Sequence, residues 1–326
     1  MRTVDLKKDF TNNDFVYVDE LAYDFLWRVQ LKEPNIVLPN IGANIGEKYY
    51  VSPEDLPKEK NVLGPNAILL RSKCNDTHFV YFRLSTSSYD NEMKKLVGAS
   101  GQPKFNKTDL KKVRLFMPSL KEQKKISHFL GLLEERIATQ NKNIEKLQSL
   151  IKGISKQLLM NNQNWRTVRI GELLRIGNGK DYKHLGIGKI PVYGTGGQML
   201  LVNDYLYDGE SVCIGRKGTI DTPMFLKGKF WTVDTLFYTY DFKDVLPKFC
   251  YYLFLQINWK LYNEGTGVPS LSKSTIENIK VKIPSIKQQH NICSVLDCYE
   301  HKTKSEEQIL ELYLSEKQYL LRQMFI

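Results

Sequence analysis

The strongest constraint on the fold of this chain is an internal repeat with a constant offset of 166 residues. The first copy runs from residue 100 to 130, the second from residue 266 to 296, and the two align without a gap. The identical pairs include Gly101/Gly267, Pro103/Pro269, Lys107/Lys273, Pro118/Pro284, Gln123/Gln289, Ile126/Ile292 and Leu130/Leu296. Solenoids repeat at about 20–50 residues, so this longer period predicts a duplicated domain pair.

Each copy of the repeat combines a strand pattern with a long helical pattern. Lys112–Pro118 and Asn278–Pro284 alternate in hydrophobicity like a strand that ends at its proline. A heptad seam follows in the first copy, through Leu130, Leu133, Ile137, Gln140, Ile144, Leu147, Ile151, Ile154 and Leu158. The second copy has a weaker seam, through Leu296, Tyr299, Leu310, Tyr313, Leu320 and Met324, interrupted by Thr303, Glu306 and Lys317.

Two long amphipathic helices in one chain would each expose an apolar stripe unless that stripe met a partner. A helix from about Lys121 to Met160 would be on the order of 60 Å long. We expect the two helices to pair antiparallel with each other, with docking on another subunit as the alternative or the addition. The repeated Gln123 and Gln289 are predicted to bond across this bundle and fix its start.

The segment between the two seams predicts a compact α+β unit beginning at Asn164. Gly177–Gly197 is rich in turn residues and predicts loops, whereas Phe230–Tyr240 is β-branched and aromatic and predicts one buried strand. Pro247–Trp259 predicts an aromatic helix. The basic residues of this unit are concentrated in its glycine-rich segments.

The N-terminal unit follows the same order over part of its length. Asn35–Gly46 stands where Glu210–Asp221 stands in the second unit, which puts Asn44 in the place of Thr219. Its beginning has no counterpart of WRTVRIGELLRIGNGK, the segment that opens the second unit. We therefore expect the N-terminal unit to be incomplete at its start.

The charge distribution points to an anionic partner without identifying it. The formal net charge is +11, and residues 98–160 carry 13 basic and 5 acidic side chains, a net charge of +8. A solvated basic face explains such a segment as well as nucleic acid does. Five cysteines without a C-x-x-C pair, no secretion signal, and an apolar run (Phe249–Ile257) too short to cross a bilayer predict a reduced, cytoplasmic protein.

Known signatures of DNA-acting enzymes are missing from the sequence. An adenine methyltransferase needs an N-P-P-[FYW]-type motif, and the chain contains no Pro-Pro dipeptide. Gly-Lys occurs at residues 179, 188 and 228 but is never followed by Ser or Thr, so there is no P-loop. No Pro-Asp precedes a nuclease-type [DE]-x-K, and the five histidines show no metal-ligand spacing. We predict a non-catalytic protein.

The whole pattern resembles the specificity subunits of type I restriction–modification systems. The resemblance is carried by the tails GQPKFNKTDLKKVRLFMPSLKEQKKI and GVPSLSKSTIENIKVKIPSIKQQHNI, and by GKDYKHL, IPVYGTGG, IGRKGTID and FWTVDTLFYT. It implies an α+β fold in which two α/β target-recognition domains are separated by two long helices that form an antiparallel coiled coil. It also implies a sequence-specific DNA-recognition subunit that reads a gapped, bipartite site.

The resemblance further implies partners and domain bounds. The partners would be double-stranded DNA, two methyltransferase subunits and nuclease/translocase subunits, and S-adenosylmethionine, ATP and Mg would belong to those subunits. The predicted domains are residues 1–118 and 164–284 for target recognition, and 119–163 and 285–326 for the helices.

Two sets of residues are candidates for these roles. The predicted DNA contacts are Lys180, Tyr182, Lys183, Tyr193, Thr195, Arg216, Lys217 and Thr219 in the second unit and Asn40, Asn44, Lys48 and Arg71 in the first. The predicted helical interface is Leu130, Leu133, Ile137, Ile144, Leu147, Ile151, Ile154, Leu296, Leu310, Tyr313 and Leu320. The alternatives are ordinary turn and packing roles for the first set, a silent or rearranged cassette that only binds proteins, and a DNA-modifying enzyme with unrecognised motifs.

Overall fold

The computed structural model of the chain describes residues 1–7, 15–42, 44–96, 104–160 and 164–325. These residues divide into two compact units. Unit 1 consists of Met1–Lys142 and Gln308–Ile326, and unit 2 consists of Asn143–Glu307. Each long helix contributes one half to each unit, so the predicted domain bounds, which separate helices from globular parts, stay a prediction.

Unit 1 is built around a small antiparallel sheet. Its globular elements are α1 (Thr3–Lys7), α2 (Glu20–Phe25), β1 (Asn35–Pro39), β2 (Tyr49–Val51), β3 (Ala67–Leu70), α3 (Thr77–Leu84), α4 (Ser87–Leu96) and α5 (Lys107–Leu110). In the described residues the strand order is β2-β1-β3. The central strand β1 is buried on both faces, because Ile36 and Leu38 join one apolar cluster while Val37 joins another.

The first long helix, α6 (Leu120–Met160), connects the two globular parts along the chain. Unit 2 then contains β4 (Arg166–Arg169), α7 (Ile170–Leu173), β5 (Arg175–Asn178), β6 (Ile187–Gly194), β7 (Gly197–Val202), β8 (Tyr207–Gly215), β9 (Met224–Thr232), β10 (Leu236–Tyr240), α8 (Pro247–Gln256), α9 (Lys273–Asn278) and β11 (Lys280–Ile283). The second long helix is α10 (Ile286–Met324), and short 3-10 turns lie at Trp27–Val29, Pro53–Asp55 and Trp259–Tyr262.

Unit 2 has a larger sheet and a larger core. Among its described residues, six strands are ordered β5-β10-β8-β9-β6-β7, and β4 pairs separately with β11. Helix α8 packs its aromatic face on this sheet, so that Phe249, Tyr252 and Phe254 are at most 1% exposed. Full burial of such side chains contributes roughly 1.5–3 kcal/mol each, so α8 stabilises the unit by covering this face of the sheet.

The two long helices pack antiparallel. In unit 1, Leu130 shares an apolar cluster with Leu320, and one turn further along α6 the carboxylate of Glu134 lies 2.5 Å from Nζ of Lys317. In unit 2, Leu159 shares the main cluster with Ile292 and Leu296. Every member of both predicted seams is buried or half-buried. The predicted fold class, mixed helix and sheet with an antiparallel pair of long helices, is therefore confirmed.

Two predicted elements of unit 2 are wrong in detail. Gly177–Gly197, expected to be loops, contains the end of β5 and all of β6, because the backbone of β5 pairs with β10 and that of β6 pairs with β7 and β9 despite the glycines. Phe230–Tyr240 is not one strand, because a turn at Val233–Thr235 separates β9 from β10. The predicted aromatic helix and the order shared by the two units are confirmed, since β1 and β3 pair as β8 and β10 do and each pair is followed by a helix.

The strand predicted at Lys112–Pro118 does not form, whereas its repeat β11 does. In unit 2, β11 pairs antiparallel with β4 over four residues, from Lys280 opposite Arg169 to Ile283 opposite Arg166. The described residues of unit 1 contain no strand that plays the part of β4. A strand is defined by its inter-strand hydrogen bonds, so the first copy stays extended without becoming one.

A candidate DNA interface

Three of the predicted DNA-contacting segments of unit 2 converge on one turn. We call residues 179–183, 193–195 and 216–219 the loop cluster. Its backbone is tied to the turn that follows β9 by bonds from Lys180 N–H to Thr232 O (2.8 Å), from Val233 N–H to Tyr193 O (3.0 Å) and from Arg216 N–H to Thr235 O (2.8 Å). Segments up to about 40 residues apart in the chain are thereby held at one place on the sheet.

Glycines permit this close approach. A Cβ on Gly179 would lie 1.8 Å from the carbonyl oxygen of Val233, so that only glycine fits there. Gly218 has φ +90°, a conformation that side chains with a Cβ rarely adopt, and Thr195 Oγ1 lies 3.7 Å from the place of its missing Cβ. The loop cluster is therefore a packed surface that presents its side chains from fixed backbone positions.

The cations of the loop cluster are exposed and unpaired. Lys180, Lys183, Arg216 and Lys217 are exposed, and none of them has a carboxylate within 4.0 Å among the residues described. Elsewhere in the unit, Lys227 pairs with Glu210 and Lys260 with Asp221. Unpaired cations beside an exposed Thr219 hydroxyl form a surface suited to phosphate oxygens and base edges.

The two tyrosines of the loop cluster also pack into the domain. Tyr182 lies against the cluster of Val192, Val202 and Trp231, and Tyr193 lies against a second cluster. Trp231 holds the backbone of the first loop, because its indole N–H donates to the carbonyl oxygen of Lys180 at 2.8 Å. Packing therefore accounts for both half-buried rings, and any contact of theirs with DNA stays a prediction.

The candidates of unit 1 are more strongly engaged with their own unit. The guanidinium of Arg71 donates to Asn35 Oδ1 (3.1 Å), Arg28 O (3.0 Å) and Gln30 O (2.5 Å), and it pairs with Glu33. The ammonium of Lys48 pairs with Asp90, and only 11% of its side chain is exposed. Asn44 accepts a hydrogen bond from Lys7 Nζ at 3.2 Å. Their contacts give Arg71 and Lys48 structural roles in unit 1.

The structure corrects the alignment of the two loops by one residue. Phe105 N–H donates to Asn40 O at 3.2 Å, as Leu271 N–H donates to Arg216 O at 2.9 Å, and Phe105 and Leu271 are themselves repeat partners. Gly42, with φ +91°, then matches Gly218. Asn40 thus occupies the place of Arg216, and Asn44 corresponds to Ile220. The expected match of Asn44 with Thr219 is wrong, because the left-handed glycine sets the register.

A groove beside the loop cluster adds residues that the sequence analysis missed. It has a volume of about 400 Å³ and is lined by Asn178, Arg216, Lys217, Phe237, Glu264, Ser270, Leu271, Ser272 and Lys273. The guanidinium carbon of Arg216 lies 6.0 Å from the centroid of the Phe237 ring. The sequence could have indicated Lys273 as a candidate, because this lysine is repeated as Lys107 in the first copy.

Gln123 and Gln289 have a structural role, but their partners differ from those predicted. Both side chains are almost fully buried, at 2% and 0% exposed. Each bonds within its own unit to the segment ahead of a globular helix, through the N–H of Asp76 for Gln123 and of Leu246 for Gln289. The expected bond across the helix pair is therefore wrong, because the amide reaches the N-terminus of α3 or α8 instead.

Other chemical features of the chain are those of a packed protein. Burial raises the pKa of the Cys213 thiol to about 12, which keeps this cysteine protonated and unreactive. Within the described ranges no group of three or more His, Cys, Asp or Glu side chains is arranged to hold a metal ion. The helices described there include none with the length and apolar character needed to cross a membrane.

Comparison with known proteins agrees with this architecture. The family described as type I restriction modification DNA specificity domain matches the chain twice, over residues 7–149 and 162–312. The type I restriction enzyme MjaVIII specificity subunit of Methanocaldococcus jannaschii is 23% identical, over 86% of this chain and 76% of that protein. The putative MjaX specificity subunit of the same organism is 25% identical, over 90% and 79%.

Solved structures show the same fold. The S subunit of a type I restriction-modification system from M. genitalium superposes with a TM-score of 0.65 at 17% identity, covering 91% of this chain and 84% of that one. A chain from a structure of type I R-M complex assembly and conformational transition gives a TM-score of 0.58 at 13% identity, covering 91% and 82%. The chain belongs to the type I restriction modification DNA specificity family, and it is a non-catalytic subunit that confers DNA sequence specificity.

Proposed function

We propose that the chain reads a gapped, two-part DNA site and that the loop cluster of unit 2 reads one of the two parts. The observation that carries this proposal is the convergence of Lys180, Arg216 and Lys217, all exposed and without carboxylate partners in the described part of the chain, on one turn. Cations without partners neutralise phosphates, and an arginine among them suits the paired acceptors of guanine. Thr195 and Thr219 offer hydroxyls on the same surface.

For unit 1 we propose a weaker contribution, in which Asn40 and Asn44 are the principal contacts. Asn40 stands in the place of Arg216, and one of its amide hydrogens already goes to Phe105 O at 3.2 Å. The remaining candidates Lys48 and Arg71 would have to exchange their internal ion pairs for phosphates. The same ion pairs favour the second candidate function for this unit, a scaffold that binds proteins without touching DNA.

We propose that the outer faces of the long helices dock the partner subunits, two methyltransferase subunits and the nuclease/translocase subunits. Several apolar side chains outside the seams are exposed there, and they include Phe129, Leu132 and Leu150 on α6 and Leu312 and Tyr319 on α10. S-adenosylmethionine, ATP and Mg would be bound by those partners. Because the substrate of the complex is DNA, we expect it to act in the cytoplasm.

The proposal is tested by exchanging residues 180–235 for the corresponding segment of a relative and mapping methylated adenines in cells. One half of the methylated sequence should change and the other half should stay. A parallel map from cells that lack the gene shows which sites depend on the chain. A change in both halves would contradict the division of reading between two units, and an unchanged site would contradict the role of the loop cluster.

A further inference from the structure

The segment Val113–Met117 of unit 1 has the side-chain arrangement of a strand. Val113, Leu115 and Met117 are half-buried, and the first two pack against the apolar cluster of Ile36 and Leu38. Arg114 and Phe116 point outward, and Phe116 is 83% exposed. This alternation with a period of two is typical of a strand that has one face on the core.

In the part of the chain that the structure describes, the backbone of this segment is nevertheless unpaired apart from the bond from Val113 N–H to Leu110 O at 3.2 Å. Within the described residues, the N–H and C=O groups of Arg114–Met117 form no hydrogen bond. The residues at the repeat offset, Lys280–Ile283, form β11 and pair with β4. In the described part of the chain these repeat partners share the alternation of exposed and buried side chains but differ in whether a neighbouring strand is present, so that Val113–Met117 offers an open edge for one there. We call it the 113–117 edge.

An apolar groove runs beside the 113–117 edge. It has a volume of about 400 Å³ and is lined by Phe79, Arg83, Phe116, Met117, Pro118, Glu122, Lys125, Ile126, Met324 and Phe325. Phe325 packs on Phe79 with ring centroids 5.2 Å apart, as Trp165 packs on Phe249 at 6.2 Å in unit 2. In unit 2 the strand β4 begins directly after that tryptophan. Unit 1 thus has the aromatic contact that precedes β4 in unit 2, beside an open edge.

We propose that the 113–117 edge is a strand-addition site for an extended segment of a partner polypeptide. The pair of β4 and β11 in unit 2 defines the geometry. The added strand would run antiparallel and would place an apolar residue opposite Leu115, just as Val168 lies opposite Val281. The charge of Arg114 defines which residue should lie opposite it on the added strand. Arg114 is exposed and has no carboxylate partner among the described residues, and its repeat partner Lys280 faces Arg169. An acidic residue opposite Arg114 fits this edge better than the arginine of β4.

The experiment uses the full chain and two synthetic peptides. One peptide has the sequence of Asn164–Leu174, NWRTVRIGELL, and the other carries Arg169→Glu. Amide hydrogen exchange, measured with each peptide, should show slower exchange at residues 114–117 and unchanged exchange at 280–283. Fluorescence anisotropy should show the Arg169→Glu peptide binding about two- to fivefold more tightly, the range expected for one cross-strand charge pair.

Two controls make the test specific. A peptide with Val168→Pro, which lacks a backbone N–H in mid-strand, should bind at least tenfold more weakly. The exposed Arg114→Glu variant of the chain should reverse the preference between the two peptides. Equal binding of the proline peptide, an unreversed preference, or no slowing of exchange at 114–117 at saturating peptide would each overturn the proposal.

A second copy of the chain is the competing occupant. If the free chain sediments as a dimer and its amides at 114–117 already exchange slowly, a second copy covers the edge and the proposal is wrong. The expected result is fast exchange at this edge in the free chain at any protein concentration.

Discussion

Gln123 and Gln289 lie 166 residues apart and make equivalent hydrogen bonds in their separate units. Gln123 Oε1 accepts from Asp76 N–H at 2.9 Å, and its Nε2 donates to Pro118 O at 2.9 Å. Gln289 Oε1 accepts from Leu246 N–H at 2.8 Å, and its Nε2 donates to Pro284 O at 3.0 Å. Each glutamine therefore joins the first turn of a long helix to the start of a globular helix.

Replacing either glutamine by alanine should destabilise its unit by about 1–3 kcal/mol. The reason is that the N–H of Asp76 or Leu246 would lose its partner beside a buried site. Urea unfolding of Gln123→Ala and Gln289→Ala measures the loss. Gln148→Ala, an exposed position on α6, serves as the control and should change the free energy of unfolding by less than about 0.5 kcal/mol. Losses no larger than the control would contradict the structural role.

Removing the cations at the tip of the loop cluster should weaken DNA binding. Arg216→Ala should cost about 1–3 kcal/mol and relax specificity if the guanidinium reads a base, whereas Lys217→Ala should weaken all sequences alike and lower the salt slope by about one. Fluorescence anisotropy over a salt series separates the two effects. Lys227→Ala is the matched control, because that lysine already pairs with Glu210. A control variant that binds as weakly as Arg216→Ala would count against the assigned surface.

The contact between Glu134 and Lys317 should make the stability of unit 1 depend on pH. Burial raises the pKa of Glu134, but the hydrogen bond from His78 and the nearby Lys317 outweigh it and hold that pKa below its ordinary value of 4.5. A carboxyl whose pKa is lowered on folding stabilises the protein above the unfolded pKa, and this contribution is lost as the pH falls through the folded pKa.

Glu134→Gln should therefore reduce the free energy of unfolding by about 1–2 kcal/mol near pH 7, between the ranges for exposed and buried pairs. The difference in the free energy of unfolding between Glu134→Gln and the unmodified chain should shrink as the pH falls below 4.5. Thermal unfolding at several pH values measures it, with the exposed Glu135→Gln as control. A gap that stayed constant down to pH 3 would rule out the ion pair as its cause.

Truncating a side chain in the helix seam should destabilise the protein much more than truncating one on the outer helix face. Leu130→Ala leaves a cavity at a side chain that is 0% exposed and should cost about 2–5 kcal/mol. Leu132→Ala, two residues away and 46% exposed, should cost less than about 1 kcal/mol. Circular dichroism during urea unfolding compares the two. Similar costs would mean that the helices do not pair along the seam through Leu130.

Gly179→Ala should disturb the loop cluster through the backbone. The new Cβ would lie 1.8 Å from Val233 O, so either the loop or the turn must move, at a cost of about 1–3 kcal/mol. Gly196→Ala is the control, since nothing lies within 4 Å of its added Cβ. Thermal unfolding and DNA binding should both be impaired in the first variant and unchanged in the second. If both variants behaved alike, the close approach of loop and turn would not matter.

The duplicated units and the two long helices were predictable because both follow from periodic patterns in the sequence. The offset of the repeat identified two related units, and the heptad seam from Leu130 to Leu158 lies inside the predicted helix from about Lys121 to Met160, which the structure has as α6 (Leu120–Met160). Each apolar stripe needs a partner, so burial predicted either antiparallel pairing of the two helices or docking on another subunit, and the structure shows the antiparallel pairing. The aromatic segment before Trp259 predicted α8 for the same reason, since its side chains require a core.

The candidate site was only partly predictable. Arg216 and Lys217 stand out between two glycines, and both are exposed in the structure. That Lys180 and Thr195 lie beside them depends on backbone bonds to the turn at Val233–Thr235, which read as the middle of a strand in the sequence. For Lys48 and Arg71, composition could not distinguish a free cation from one that is paired inside its own unit.

The sequence by itself determined the duplicated plan and the two long helices, because periodic burial is a local property of the chain. Only the tertiary structure decided which extended segments become strands and which charged side chains stay free. The segments at residues 113–117 and 280–283 share a pattern, yet only the second has β4 beside it. Strand pairing and ion pairing both require a partner distant in the chain, and no local pattern can specify its presence.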